Sequence, residues 1–108
     1  MCTKKYGSLG MALLDYCELW QPFRSPRWSL SDLSFALDCP VEVVEAVLKN
    51  ELETDFVTLS AVFRLSYLDQ MPPETRLDFA KRLQMAGFHS LEDYEISRKM
   101  LVFSKGFF

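Results

Sequence analysis

Residues 28–50 read WSLSDLSFALDCPVEVVEAVLKN, and their spacing decides the fold class. Leu30, Leu33 and Leu37 recur at intervals of three and four, the period of a helix with one buried stripe. Ser29 is placed to cap that helix, because its hydroxyl can accept from a free main-chain N–H of the first turn. Asp32, three positions on, completes a capping box. Trp28 before the cap, with Leu33 at the fourth helical position, gives a hydrophobic staple. Asp38 and Cys39 interrupt the pattern. Pro40 then suits the first turn of a second helix, where its missing N–H costs nothing. Val43, Val44, Val47 and Leu48 supply an apolar face. The valines lower helix propensity slightly, so packing must hold this helix. The stretch therefore reads as two short helices meeting at a tight break, with Leu33, Leu37, Val44 and Val47 as the expected core.

Working outward, the rest of the chain also reads as helical. Leu9, Leu13, Tyr16, Cys17 and Trp20 share one face of an earlier helix, which Pro22 and Pro26 end. Leu59, Val62, Phe63 and Leu68 predict a helix that stops before Met71-Pro72-Pro73. Pro73 and Glu74 open another, through Leu77, Ala80 and Leu83 to a glycine stop at Gly87. Ser90 caps a last helix containing Leu91, Tyr94 and Leu101. The chain is read as a single domain over 1–108, with a first part at 9–70, C-terminal helices at 73–102 and an aromatic tail at 103–108. A length of 108 residues suffices for a modest core, and 49% hydrophobic content argues against disorder. No apolar run is long enough to span a bilayer. Asp15 and Glu18 interrupt the leucine-rich start, which argues against a signal peptide. Cys2, Cys17 and Cys39 are odd in number and widely spaced, which fits a reducing cytoplasm better than a disulfide framework.

The 28–50 stretch resembles the helix-turn-helix family. That family wants apolar residues at Leu33, Leu37, Val44 and Val47, a small residue at Ser34 and glycine at Asp38. Aspartate enters the left-handed region less easily than glycine. A plain helical hairpin also suits these residues. Residues 6–64 more broadly resemble winged-helix domains of phage replication and primosome-type proteins, in which a leucine-rich helix (here YGSLGMALLDYCELW) precedes the helix-turn-helix and a β-hairpin follows. On that resemblance Leu52 to Thr58 would form a shortened wing, although the usual turn glycine is missing. Residues 87–99, GFHSLEDYEISRK, resemble the second helix-turn-helix of AraC-type regulators at Ser90, Leu91 and Tyr94, but Glu92, Asp93 and Glu95 do not suit its DNA-facing helix. The expected fold is thus mainly α: a helix-turn-helix core, with or without a short two-stranded wing, followed by a C-terminal helical hairpin. The resemblance implies a regulator of bacterial or phage origin.

Catalytic chemistry finds little support. His89 is the one histidine, and a catalytic or metal-binding histidine needs partners. A cap or loop hydrogen bond suits it better. The cysteines lack zinc-ligand spacing, and the four glycines form no phosphate-binding pattern. No enzyme, cofactor or metal is expected.

Charge is more informative. Residues 1–27 hold four basic and two acidic side chains; residues 28–70 hold two and eight; residues 71–108 hold six and five. The helix-turn-helix segment is therefore the most acidic part of the chain. DNA affinity draws heavily on phosphate neutralisation by Lys and Arg, yet the family pattern would turn Glu42, Glu45 and Lys49 toward the groove. Two functions compete. One is a regulator or inhibitor whose acidic surface, Glu42, Glu45, Lys49, Glu51, Glu53 and Asp55, meets a basic protein partner. The other is a sequence-specific DNA-binding transcriptional or replication regulator with contacts from Arg24, Arg27, Lys49 and Arg64. Phe103, Phe107 and Phe108 in the tail are expected either to fold back on the domain or to dock into a second copy as a homodimer.

Overall fold

The computed structural model of the chain describes residues 8–71 and 78–105, with side chains as far as residue 101. It is mainly helical: α1 (Leu9–Trp20), a single 3-10 turn (Pro22–Arg24), α2 (Leu30–Leu37), α3 (Val41–Asn50), α4 (Phe56–Asp69), α5 (Phe79–Ala86) and α6 (Leu91–Lys105). None of these helices is long and apolar enough to cross a membrane. Contacts divide the chain into two compact units. The first holds residues 1–22 and 27–56; the second holds residues 23–26 and 57–108.

In the first unit, local chemistry sets each helix end. Ser8 caps α1 by accepting from the Met11 N–H. Ser29 accepts from the Asp32 N–H at 3.2 Å, and the Asp32 carboxylate accepts from the Ser29 N–H at 3.1 Å. This is the expected capping box, and it satisfies two N–H groups that a helix start leaves without partners. Asp38 ends α2 at φ 55°, in the left-handed region. Aspartate is one of the few residues other than glycine that enter that region at modest cost. The Ser34 hydroxyl donates to the Cys39 carbonyl and helps close the turn. Pro40 occupies the cap position of α3, one residue earlier than the helical first turn expected of it. Leu13, Cys17, Leu33, Val44 and Leu48 are almost wholly buried, with Leu37 and Val47 close behind. Each such aliphatic side chain contributes about 1.5–3 kcal/mol on burial. Trp28 is buried as well, and its ring lies 4.7 Å from that of Phe56.

Two expectations fail here. Trp20 was assigned to the inner face of α1 but is 75% exposed; the buried face runs through Gly10, Leu13 and Cys17. There is no wing: the described residues contain no strand, residues 52–55 are a short loop, and 56–58 are the first turn of α4. The amides that a hairpin would need are taken up elsewhere. Leu52 N–H donates to the Val47 carbonyl at 3.2 Å and Thr54 N–H to the Leu48 carbonyl at 2.8 Å, while Glu53 turns the chain at φ 53°. The segment thereby satisfies the last carbonyls of α3 instead of pairing with a strand. Cys17 is a buried free thiol.

The second unit packs Leu68 of α4, Leu83 and Ala86 of α5 and the following Phe88 into one core, with Leu65, Tyr67, Met71 and Tyr94 against it. Phe23 stacks on Phe63 at 5.3 Å and meets the edge of Tyr67 at 6.1 Å. Asp78 caps α5 by accepting from the Lys81 N–H at 2.8 Å, and Gly87 ends it at φ 101°, as expected for a glycine stop. Ser90 accepts from the Asp93 N–H at 3.2 Å at the start of α6. The expected helix opening at Pro73 and Glu74 lies outside the described residues, as do Phe107 and Phe108. Phe103 lies within α6, but its side chain is not described.

Candidate functional site

The outward surface of α3 follows from its sequence period. Val44, Val47 and Leu48 turn inward, which places Glu42, Val43, Glu45, Ala46, Lys49 and Asn50 on the solvent side. Glu51, Glu53 and Asp55 continue the exposed acidic series beyond the helix end. All six residues proposed from the sequence for a basic partner are therefore exposed and lie on one short stretch of one unit. The described residues of this unit include nine acidic side chains, Asp15, Glu18, Asp32, Asp38, Glu42, Glu45, Glu51, Glu53 and Asp55, against the basic pair Arg27 and Lys49.

Glu51 has a second role that the sequence pattern did not reveal. Its Oε1 accepts from the Gly10 N–H at 3.1 Å. Gly10 stands in the first turn of α1, so the carboxylate satisfies one of the N–H groups left open at that helix start. A Cβ at Gly10 would stand 2.6 Å from the same oxygen. A glycine in a helical first turn was the available signal, but its partner, 41 residues away, could not be read from spacing.

Beside this contact lies a shallow groove of about 340 Å³, lined by Glu42, Val43, Ala46, Val47, Asn50 and Glu51. Its floor is apolar, and carboxylates stand at both ends. Val43, Ala46, Val47 and Asn50 follow the spacing i, i+3, i+4, i+7, the seam that one helix offers another.

The residues proposed for DNA contact divide differently. Arg27 and Lys49 are exposed in the first unit, whereas Arg24 and Arg64 belong to the second. Arg64 Nε donates to the Phe23 carbonyl at 2.8 Å, and its Nη2 donates to the Ser25 carbonyl at 3.0 Å. Burial lowers its pKa, partly opposed by the negative charge of Asp93. Arg24 Nε donates to the Met85 carbonyl at 2.9 Å, and its guanidinium lies 4.7 Å from the centre of the Tyr67 ring. Both arginines thus hold the 23–26 segment onto the second unit. A phosphate would have to compete with those carbonyls for the same N–H groups.

His89 also serves this segment. Its Nε2 lies 3.0 Å from the Pro26 carbonyl, and its main-chain N–H donates to Asp93 at 3.1 Å. Among the described residues, no group of three or more His, Cys, Asp or Glu side chains is placed to hold a metal. Cys17 does not have the character of a nucleophile: burial, with a smaller contribution from the charge of Glu18, pushes its thiol up to about 12. The thiolate is the reactive form, so this sulfur stays protonated at neutral pH.

Comparisons of the chain with protein-family models, curated proteins and solved structures returned no match.

Proposed function

We propose that this chain is a small non-enzymatic regulatory protein that binds a basic protein partner through the acidic outward face of α3. On this reading α2 and α3 form a helix-turn-helix scaffold turned from nucleic acid to protein. The observation that carries it is the exposure of Glu42, Glu45, Glu51, Glu53 and Asp55 along one short stretch of chain, in a unit whose described basic residues are only Arg27 and Lys49. A duplex approaching α3 would meet Glu42 and Glu45 with a single cation, Lys49, among them, and phosphate repulsion grows steeply at that range. A basic protein surface would gain from the same field in association rate and in choice of partner.

The alternative, a sequence-specific DNA-binding regulator, is favoured by the Ser29-capped helix pair and its tight turn. It is weakened by the engagement of Arg24 and Arg64 with main-chain carbonyls. The test is capture by the full chain from nuclease-treated lysate, comparing wild type with the double variant E42K/E45K. A basic protein retained by the wild type and lost from the variant, whose circular dichroism is unchanged, supports the proposal. Capture that vanishes with nuclease, together with sequence-specific retention of duplex DNA, overturns it in favour of the alternative. Capture unchanged by E42K/E45K removes α3 from the interface.

A further inference from the structure

Resting on the reading above, we infer that the groove along α3 receives a basic amphipathic α-helix of the partner, laid along the Val43–Ala46–Val47–Asn50 seam. The floor fixes the kind of occupant. Val43, at 39% exposure, and Ala46 leave apolar surface open at helical spacing, which a partner helix matches with its own i, i+3, i+4, i+7 side chains. The rim fixes the charge. Glu42 and Glu51 are nine residues apart, which is roughly 13–14 Å along the helix axis and two and a half turns. Half a turn beyond two whole turns sets them on opposite sides of the seam. The matching partner helix carries two Lys or Arg residues about nine positions apart, one on each flank of its apolar stripe.

The rim is not equally free at its two ends. Glu51 already accepts from the Gly10 N–H through Oε1. Its second oxygen is the one to meet the partner's cation, while Glu42 can commit both of its oxygens. Glu45, on the same helix but outside the groove lining, contributes only to the general field.

The probe is a synthetic helical 18-residue peptide with leucines at i, i+3, i+4 and i+7 and two lysines nine positions apart. A control of the same composition sets its lysines on one flank, four apart. Binding to the isotope-labelled full chain is followed by amide chemical shifts. The expected result is saturable shifts centred on Val43, Ala46 and Asn50, with at least fivefold tighter binding of the probe than of the control. Ala46→Gln, which fills the floor without changing charge, and E42Q should each weaken binding at least fivefold, and E45Q less than twofold. If A46Q binds as the wild type does while E42Q and E45Q weaken binding equally, the contact is diffuse electrostatics and the inference fails, while the acidic-face proposal stands. If the probe does not bind yet E42K/E45K loses a captured basic protein, the helix assignment alone fails. If neither effect appears, both fail.

Discussion

Replacing Gly87 with alanine should destabilise the second unit severely. The backbone there has φ 101°, a region in which a Cβ costs roughly 1–2 kcal/mol. Space is the larger obstacle. The new Cβ would strike the Phe23 carbonyl oxygen and stand 2.9 Å from Arg64 Nε and 3.0 Å from Arg24 Cα. Two of these are main-chain atoms and cannot swing aside, so the 23–26 segment must lift. Lifting it breaks the hydrogen bond from Arg64 Nε to Phe23, and a bond from a charged donor is worth about 1.5–3 kcal/mol. Together the terms amount to about 3 kcal/mol or more. At roughly 4 °C or more per kcal/mol, melting of the unit containing Gly87 should fall by at least about 12 °C. The assay is thermal unfolding followed by far-UV circular dichroism, with Gly10→Ala as the comparison. There the close atom is the movable end of Glu51, and the gain in helix propensity, about 1 kcal/mol, offsets the disturbed hydrogen bond. If Gly87→Ala melts within about 4 °C of wild type, the close approach of the segment is wrong.

Three further outcomes follow from the same geometry. Arg64→Lys keeps the charge but not the planar fork that reaches two carbonyls, so it should cost about 1–3 kcal/mol and speed amide exchange near Phe23, which native-state hydrogen exchange will read. Ser29→Ala removes half of the capping box and should cost about 1 kcal/mol in denaturant melts, and Ser29→Asp should restore most of it. Cys17 carries a raised folded-state pKa, so its contribution to stability is complete below the ordinary thiol value of 9.0 and is lost as pH rises toward about 12. At about 1.4 kcal/mol per unit the loss is on the order of 4 kcal/mol, with Tyr16 adding in the same direction at higher pH. Cys17→Ala should flatten that alkaline limb in urea melts, and an unchanged slope would place the thiol in solvent.

The core around the α2–α3 turn was legible because its signals are local. A capping box, a three-and-four leucine spacing and a residue tolerant of positive φ lie within ten positions of one another, and Leu33, Leu37, Val44 and Val47 are buried as that spacing requires. The wing misled for the complementary reason. The winged-helix resemblance places Leu52 to Thr58 in a wing, but whether their amides pair outward or return to Val47 and Leu48 depends on the end of α3. The arginines show the same limit. Arg24 and Arg64 looked available for phosphate because charge can be counted in a sequence, whereas the carbonyls of Phe23, Ser25 and Met85 that occupy them cannot. The acidic series on α3 was legible as charge and as period. The groove beside it was not, since one of its lining residues, Glu51, is held by a main-chain N–H 41 residues away in sequence.

Residues 23–26 belong to the second unit although their neighbours on both sides belong to the first. The polypeptide therefore changes unit three times, and neither unit is one uninterrupted length of chain. During synthesis Phe23 emerges long before Phe88 and the α5 helix beneath it, so the second unit must wait for its own C-terminal half while retaining a loop made much earlier. The gene cannot be cut at codon 56 to give two self-sufficient products: the downstream fragment would lack the Phe23 ring and the carbonyls that engage Arg64. Split there, the halves should behave as complementing fragments, each incompletely ordered alone and regaining protection from protease when mixed.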